Sequence, residues 1–222
     1  MAYRLRENLF WCSCGERVVL LDLAADRYFC LPPVATPAFR RLSEGLEAGE
    51  DELPSLRGLI ERGLIVEGAA KRASPQDVAL PEPVGDILMA SARPPLRAAV
   101  RAASFEAWAA WQLRRRPLLS VAKRMEEKGR QAAHRPASNQ EGLREIVLGF
   151  ERTTLVFARS GRCLARAVAA HAVCCAKGIR PRVVLGVRMD PFRAHAWVQL
   201  EDRVLVGEFE QVRLFTRIAV LG

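Results

Sequence analysis

The stretch "RPRVVLGVRMDPFRAHAWVQLEDRVLVGEF", residues 180–209, decides the fold. It holds three apolar, β-branched runs at 180–187, 194–200 and 203–209, separated by Asp190-Pro191 and by Glu201-Asp202. Runs of this length, bounded by turn residues, predict three consecutive strands. A two-residue turn at Glu201-Asp202 sets a register, with Leu200 opposite Arg203, Val198 opposite Leu205 and His195 opposite Glu208. Opposed residues share a face of the sheet, so Glu208 is expected beside the imidazole of His195. Asp202, at the turn, lies roughly 20 Å along the strand at about 3.3 Å per residue. A one-residue slip would put Gly207 in place of Glu208.

Upstream of these strands the periodicity is helical. "RSGRCLARAVAAHAVCCAKGI" (159–179) predicts a helix over 162–177, with Gly178 as a left-handed C-terminal cap. A second helix is expected over 140–158, capped by Ser138 or Asn139. From 84 to about 130 the chain is rich in Ala, Leu and Arg, and Phe105, Trp108, Trp111 and Leu113 are expected to form a packing face. Helices followed by strands indicate the α+β class.

The first 68 residues read as a separate module. "ERVVLLDL" (16–23) and "RYFCL" (27–31) predict a hairpin turning near Asp26, and "LRENLFWC" (5–12) can add a strand. A helix after Pro33 carries Phe39, Leu42 and Leu46 and is expected to end at Gly49. Another carries Leu53, Leu56, Leu59 and Ile60 and stops at Gly63. "LIVEG" then closes a winged-helix-like pattern. Residues 69–83 lose periodicity and gather Ala, Pro and charge, so they are expected to link modules at 1–68 and 84–222. Net charge follows this division, at −3 over residues 1–68 and +6 in each of 69–152 and 153–222.

Composition narrows the function. No run of 18 apolar residues is present, so no membrane span is expected, and the N-terminus has no apolar core of secretory length. A cytoplasmic location follows as an expectation. There the six cysteines are expected to stay reduced. Cys12, Cys14 and Cys30 have no histidine in the first 130 residues to complete a zinc site, so neither a metal nor a cofactor is expected. The basic excess could attract nucleic acid. However, the helix of the winged pattern carries Glu50, Asp51, Glu52 and Glu61, which disfavours a DNA-binding regulator.

A thiol nucleophile needs a stabilised thiolate, a nearby imidazole and a group that orients the imidazole. Cys163 opens a helix just after Ser160 and Gly161, where backbone N–H groups favour negative charge on sulfur and on an oxyanion. Arg162 and Arg166 add positive charge. His195 is the candidate base and Glu208 the candidate orienting acid. His171 lies eight residues along the same helix from Cys163, about 12 Å away. That is too far for a base, and His171 is read as structural.

Residues 163–208, "CLARAVAAHAVCCAKGIRPRVVLGVRMDPFRAHAWVQLEDRVLVGE", resemble the leader peptidase, or B protein, family of lasso peptide biosynthesis. Cys-Leu opening a small-residue helix, a strand ending in Gly-Val, and Pro-Phe-x-Ala-His-Ala-Trp-Val carry the likeness. It implies a papain/transglutaminase-like cysteine protease domain with Cys163 as nucleophile and His195 as base. The N-terminal module, with "LLDLAADRYFCL", resembles the PqqD-like leader-recognition element of peptide-modifying systems. Together the two resemblances imply a peptidase that binds the leader of a ribosomal precursor peptide and cuts the leader–core bond. A separate ATP-dependent, asparagine synthetase-like cyclase is the implied partner. The leader is expected to add a strand beside 27–31, with Tyr28, Cys30, Leu56 and Ile60 as candidate contacts. Two positions depart from the family pattern: Ala167 where serine is common, and Glu208 where aspartate is usual. A catalytically inactive leader-binding scaffold is the alternative.

Overall fold

The computed structural model describes residues 3–69, 80–87, 96–136, 140–156 and 161–222. Two compact units divide the chain, Met1–Ala79 and Leu80–Gly222. Most of the expected linker, with Ser138, Asn139 and Ser160, lies outside the described residues.

In the N-terminal unit, β2 (Leu9–Cys14), β3 (Arg17–Asp22) and β4 (Arg27–Cys30) form an antiparallel sheet in that order. The "LRENLFWC" run is split, because Asn8 takes a positive φ of 65° and turns the chain between β1 (Tyr3–Leu5) and β2. β1 pairs instead with β5 (Ile65–Glu67). Alternation directs Val18 and Leu20 onto a core with Phe39 and Leu42 of α1 (Thr36–Ser43) and Leu56 and Leu59 of α2 (Leu53–Glu61). Trp11 meets Phe39 edge-on at 5.5 Å. The first helix ends earlier than expected. Gly45 takes φ +81° right after its last turn, so Leu46 is left exposed rather than on the packing face.

The C-terminal unit packs helices against one mixed sheet. Its main helices are α3 (Leu96–Arg115), α4 (Leu118–Ala133), α5 (Gln140–Val156) and α6 (Cys163–Ala176). The sheet follows in the order β10-β7-β8-β9-β6, built from β7 (Arg182–Arg188), β8 (Arg193–Leu200), β9 (Arg203–Val206) and β10 (Thr216–Leu221). The short edge strand β6 (Gly85–Asp86), in a stretch read as helical, runs parallel to β9. α6 is buried along nearly its whole length, from Ala165 through Cys175. A helix apolar on every side needs cover on every side, and α3, α4, α5 and the sheet supply it. Small side chains at Ala167, Ala169, Ala170 and Ala172 let those neighbours approach.

Candidate functional site

Cys163 is the first residue of α6 and is half-buried. Gly161, at φ +82°, turns the chain into the helix in a conformation glycine adopts without strain. Arg162 stands at the N-cap, and its side chain makes no capping bond. The first amides of α6 have no acceptor within the helix and, with the helix dipole, favour negative charge at its end. The guanidinium of Arg166 donates to the Phe150 carbonyl, tying α6 to α5.

His195 lies three residues into β8, opposite Gly186 of β7. The position of α6 shows which end of the sheet Cys163 reaches. His171 is wholly buried, and a Cβ on Gly222 would come 2.4 Å from its Nε2. Gly222 follows Leu221, which pairs with Val183, so this part of α6 lies by the Arg182 end of β7. From His171 back to Cys163 is about 12 Å of helix. From Arg182 to Gly186 is about 13 Å of strand. Both run away from the short 177–181 connection, so Cys163 and His195 occupy the same end of the unit.

The expected pairing of His195 with Glu208 is not what the ladder shows. Leu200 faces Arg203 and Gln199 faces Val204, but the register then shifts and Val198 faces Val206 instead of Leu205. A bulge sets two residues against one and redirects the strand. β9 ends at Val206, and Glu208 stands beyond it, exposed, at the N-cap of a short helix, α7 (Phe209–Val212). Burial pushes the His195 imidazole below its ordinary range, and the charge of Glu208 opposes that shift. A neutral imidazole near neutral pH suits a general base. The Nε2 atom of His195 is buried and has no hydrogen-bond partner among the described residues.

The histidine is held by neighbours that the sequence reading did not single out. Phe215 lies 5.2 Å from its ring, and Trp197 stacks at 6.3 Å with 22° between planes. The indole N–H of Trp197 donates to Gln199 Oε1 at 3.3 Å, and Gln199 Nε2 donates to the carbonyls of Pro81 (2.8 Å) and Glu201 (2.7 Å). Arg217 donates to the Leu80 and Pro81 carbonyls and pairs with Glu82. Leu80–Glu82, placed by the sequence in the linker, thus form a strap on the sheet. Strand alternation could have revealed Trp197 and Gln199, which share the face of His195 at i+2 and i+4. Gly186 is required by close approach, since a Cβ there would sit 2.7 Å from the Trp197 ring and 2.9 Å from Phe215 Cβ.

The candidate leader contacts lie in the N-terminal unit. Tyr28 and Cys30 are on β4, an edge strand among the described residues. Cys30 is exposed, Tyr28 and Ile60 are half-buried, and Leu56 is wholly buried in the core. Leu56 therefore supports the unit from within and offers no surface to a peptide. Cys12 and Cys14 bring their sulfurs to 3.9 Å, and burial raises the Cys12 thiol pKa. No group of three His, Cys, Asp or Glu among the described residues is placed to hold a metal, and no described helix is long and apolar enough to cross a membrane.

A half-buried thiol at the N-terminus of a central helix, with a histidine on a strand of the adjoining sheet, is an arrangement suited to thiol chemistry on acyl groups. Residues 88–220 match the Transglutaminase-like superfamily, and the chain belongs to that family. It is a superfamily that includes cysteine peptidases and acyltransferases. No curated protein and no solved structure matches the chain.

Proposed function

We propose that this protein is a cysteine peptidase that binds the leader of a ribosomally made lasso precursor peptide and hydrolyses the leader–core bond. The location of Cys163 and His195 at one end of the C-terminal unit, with His195 Nε2 buried and without a hydrogen-bond partner among the described residues, carries the reading. The N-terminal unit holds the leader as a strand added to β4, and tethering raises the local concentration of the junction near Cys163. His195 takes the thiol proton as sulfur attacks the junction carbonyl. The amides at the start of α6 bind the oxyanion, and the imidazolium returns the proton to the leaving amine. Water, deprotonated by His195, then releases the leader from the thioester. The core peptide, with its new amino terminus, passes to an ATP-dependent, asparagine synthetase-like cyclase.

The test is leader release from the precursor, followed by mass spectrometry with the cyclase present. Wild type cleaves, whereas Cys163→Ala and His195→Ala lose cleavage by at least about 10³-fold. Glu208→Gln keeps a residue. Its rate falls and the acid limb of kcat/KM moves to lower pH, because the charge that raises the His195 pKa is gone. Intact cleavage by Cys163→Ala would overturn the proposal.

A further inference from the structure

The hairpin of β7 and β8 closes on a pair of arginines. Arg188, the last residue of β7, stands directly opposite Arg193, the first of β8. Directly opposed side chains share a face of the sheet, and like charges placed so repel each other. Gly186 faces His195 further along the same ladder, so strand alternation puts both guanidinium groups on the face that carries His195. The Arg188 guanidinium lies over the Phe215 ring at 5.5 Å, and that ring is 5.2 Å from the imidazole of His195. Arg188 Nε is buried without a hydrogen-bond partner, and neither arginine forms an ion pair among the described residues. By contrast, Arg6, Arg97, Arg130 and Arg217 each meet a carboxylate.

We infer that Arg188 and Arg193 form a carboxylate subsite beside His195, which takes an acidic side chain of the peptide close to the bond that is cut. The inference rests on the peptidase reading for the identity of its ligand. Arg193 is exposed, and alone it would be satisfied by water. Arg188 is different, because a charged N–H sunk without an acceptor is costly, and a second guanidinium opposite raises that cost. A carboxylate received between the two removes both penalties. Its oxygens match the planar fork of a guanidinium, and its charge cancels the repulsion. The Phe215 ring supports the Arg188 guanidinium from one side, so the donors are oriented before the ligand arrives. From Arg188 to the position opposite His195 is about 7 Å of strand, the span of roughly two residues of an extended peptide. The acidic residue is therefore a near neighbour of the scissile bond.

The experiment is a charge-swap cycle between the full chain and the precursor peptide. Each Asp or Glu within about three residues of the cut is changed singly to its amide and to Lys, which also locates the carboxylate in leader or core. Loss of the engaged carboxylate is expected to lower kcat/KM roughly tenfold with wild-type enzyme. Arg188→Met should lower it as much with the native precursor and cause no further loss with the neutral one. Arg188→Glu should reverse the preference and favour the Lys precursor. Arg193→Gln relieves the repulsion, so it should weaken cleavage of the acidic precursor while the melting temperature holds or rises. A lower melting temperature would give Arg193 a structural role instead. Equal effects of Arg188→Met on the acidic and neutral precursors overturn the inference, as does efficient cleavage of a precursor with no carboxylate near the cut. Calorimetry of the same precursors on the Cys163→Ala protein, with and without Arg188→Met, needs no cleavage. A preference for the acidic precursor that Arg188→Met abolishes upholds the subsite even where wild type does not cleave, and then only the peptidase reading falls. Binding without that preference overturns the subsite, and absence of both binding and cleavage overturns the two together.

Discussion

At the residue scale the site depends on what surrounds His195 as much as on its position in the sequence. The imidazole is packed against two rings and half-sunk in the sheet, and burial lowers its pKa against the opposing charge of Glu208. Gly186 makes this packing possible by leaving out the atom that would meet Trp197 and Phe215. Gly186→Ala is expected to displace one ring. It should cost about 1–3 kcal/mol of stability by overpacking and lower kcat more than it raises KM, as measured by steady-state cleavage and thermal melting. Unchanged kcat would mean that the rings do not position the histidine. The helix start at Cys163 and the strand around His195 were legible, each from a local signal. Gly186 carries no such signal, because its need for close approach arises from a neighbouring strand and the loop before β10.

At the scale of elements, the bulge between β8 and β9 and the strap from Leu80 to Glu82 give the sheet its working shape. The bulge ends the ladder at Val206 and lets the chain turn into α7, which moves Glu208 off the strand. The strap is held by side chains on two strands, Gln199 and Arg217, both buried. Gln199→Leu strips the Trp197 N–H of its acceptor and removes one of the two donors to the Pro81 carbonyl. With Trp197 wholly buried, the expected loss is about 1–3 kcal/mol, read by chemical denaturation. Arg217→Ala releases the strap at three acceptors. It should raise hydrogen exchange at the Val84 and Ile87 amides while leaving α6 protected. Equal deprotection of α6 would show that the strap is inseparable from the core. The sequence marked residues 80–83 as linker because Pro and charge obscure any period. The carbonyls of Leu80 and Pro81 and the carboxylate of Glu82, whose partners lie more than 100 positions away, tie them down.

At the scale of the whole molecule, two units with different chemistry lie in one chain, and acid should affect the C-terminal one through His171. Its imidazole is wholly buried, and burial, with the charges of Lys128 and Arg182, holds its pKa down to about 4. The sulfur of Cys175 is 3.6 Å from Nε2. The unfolded chain takes a proton near pH 6.5 and the folded chain does not. The stabilisation is therefore full above about pH 6.5 and is lost as pH falls towards 4, by an amount on the order of 3 kcal/mol. Protection factors of α6 and β7 amides should fall over that window in wild type. In His171→Phe the dependence should flatten, and an unchanged slope would assign the acid sensitivity to another group.

The sequence by itself determined the α+β class, most strands and helices of both units, the helix that starts at Cys163 and the strand that carries His195. Period, capping glycine and turn residues act within a few positions of one another, so they can be read in one dimension. The tertiary structure alone decided the bulge that moved Glu208 off its ladder, the strap over the sheet and the cap that Asp86 lends to α7. The bonds of the strap and the cap join residues more than 100 positions apart. Their energy depends on where packed elements come to rest, and no local pattern encodes that.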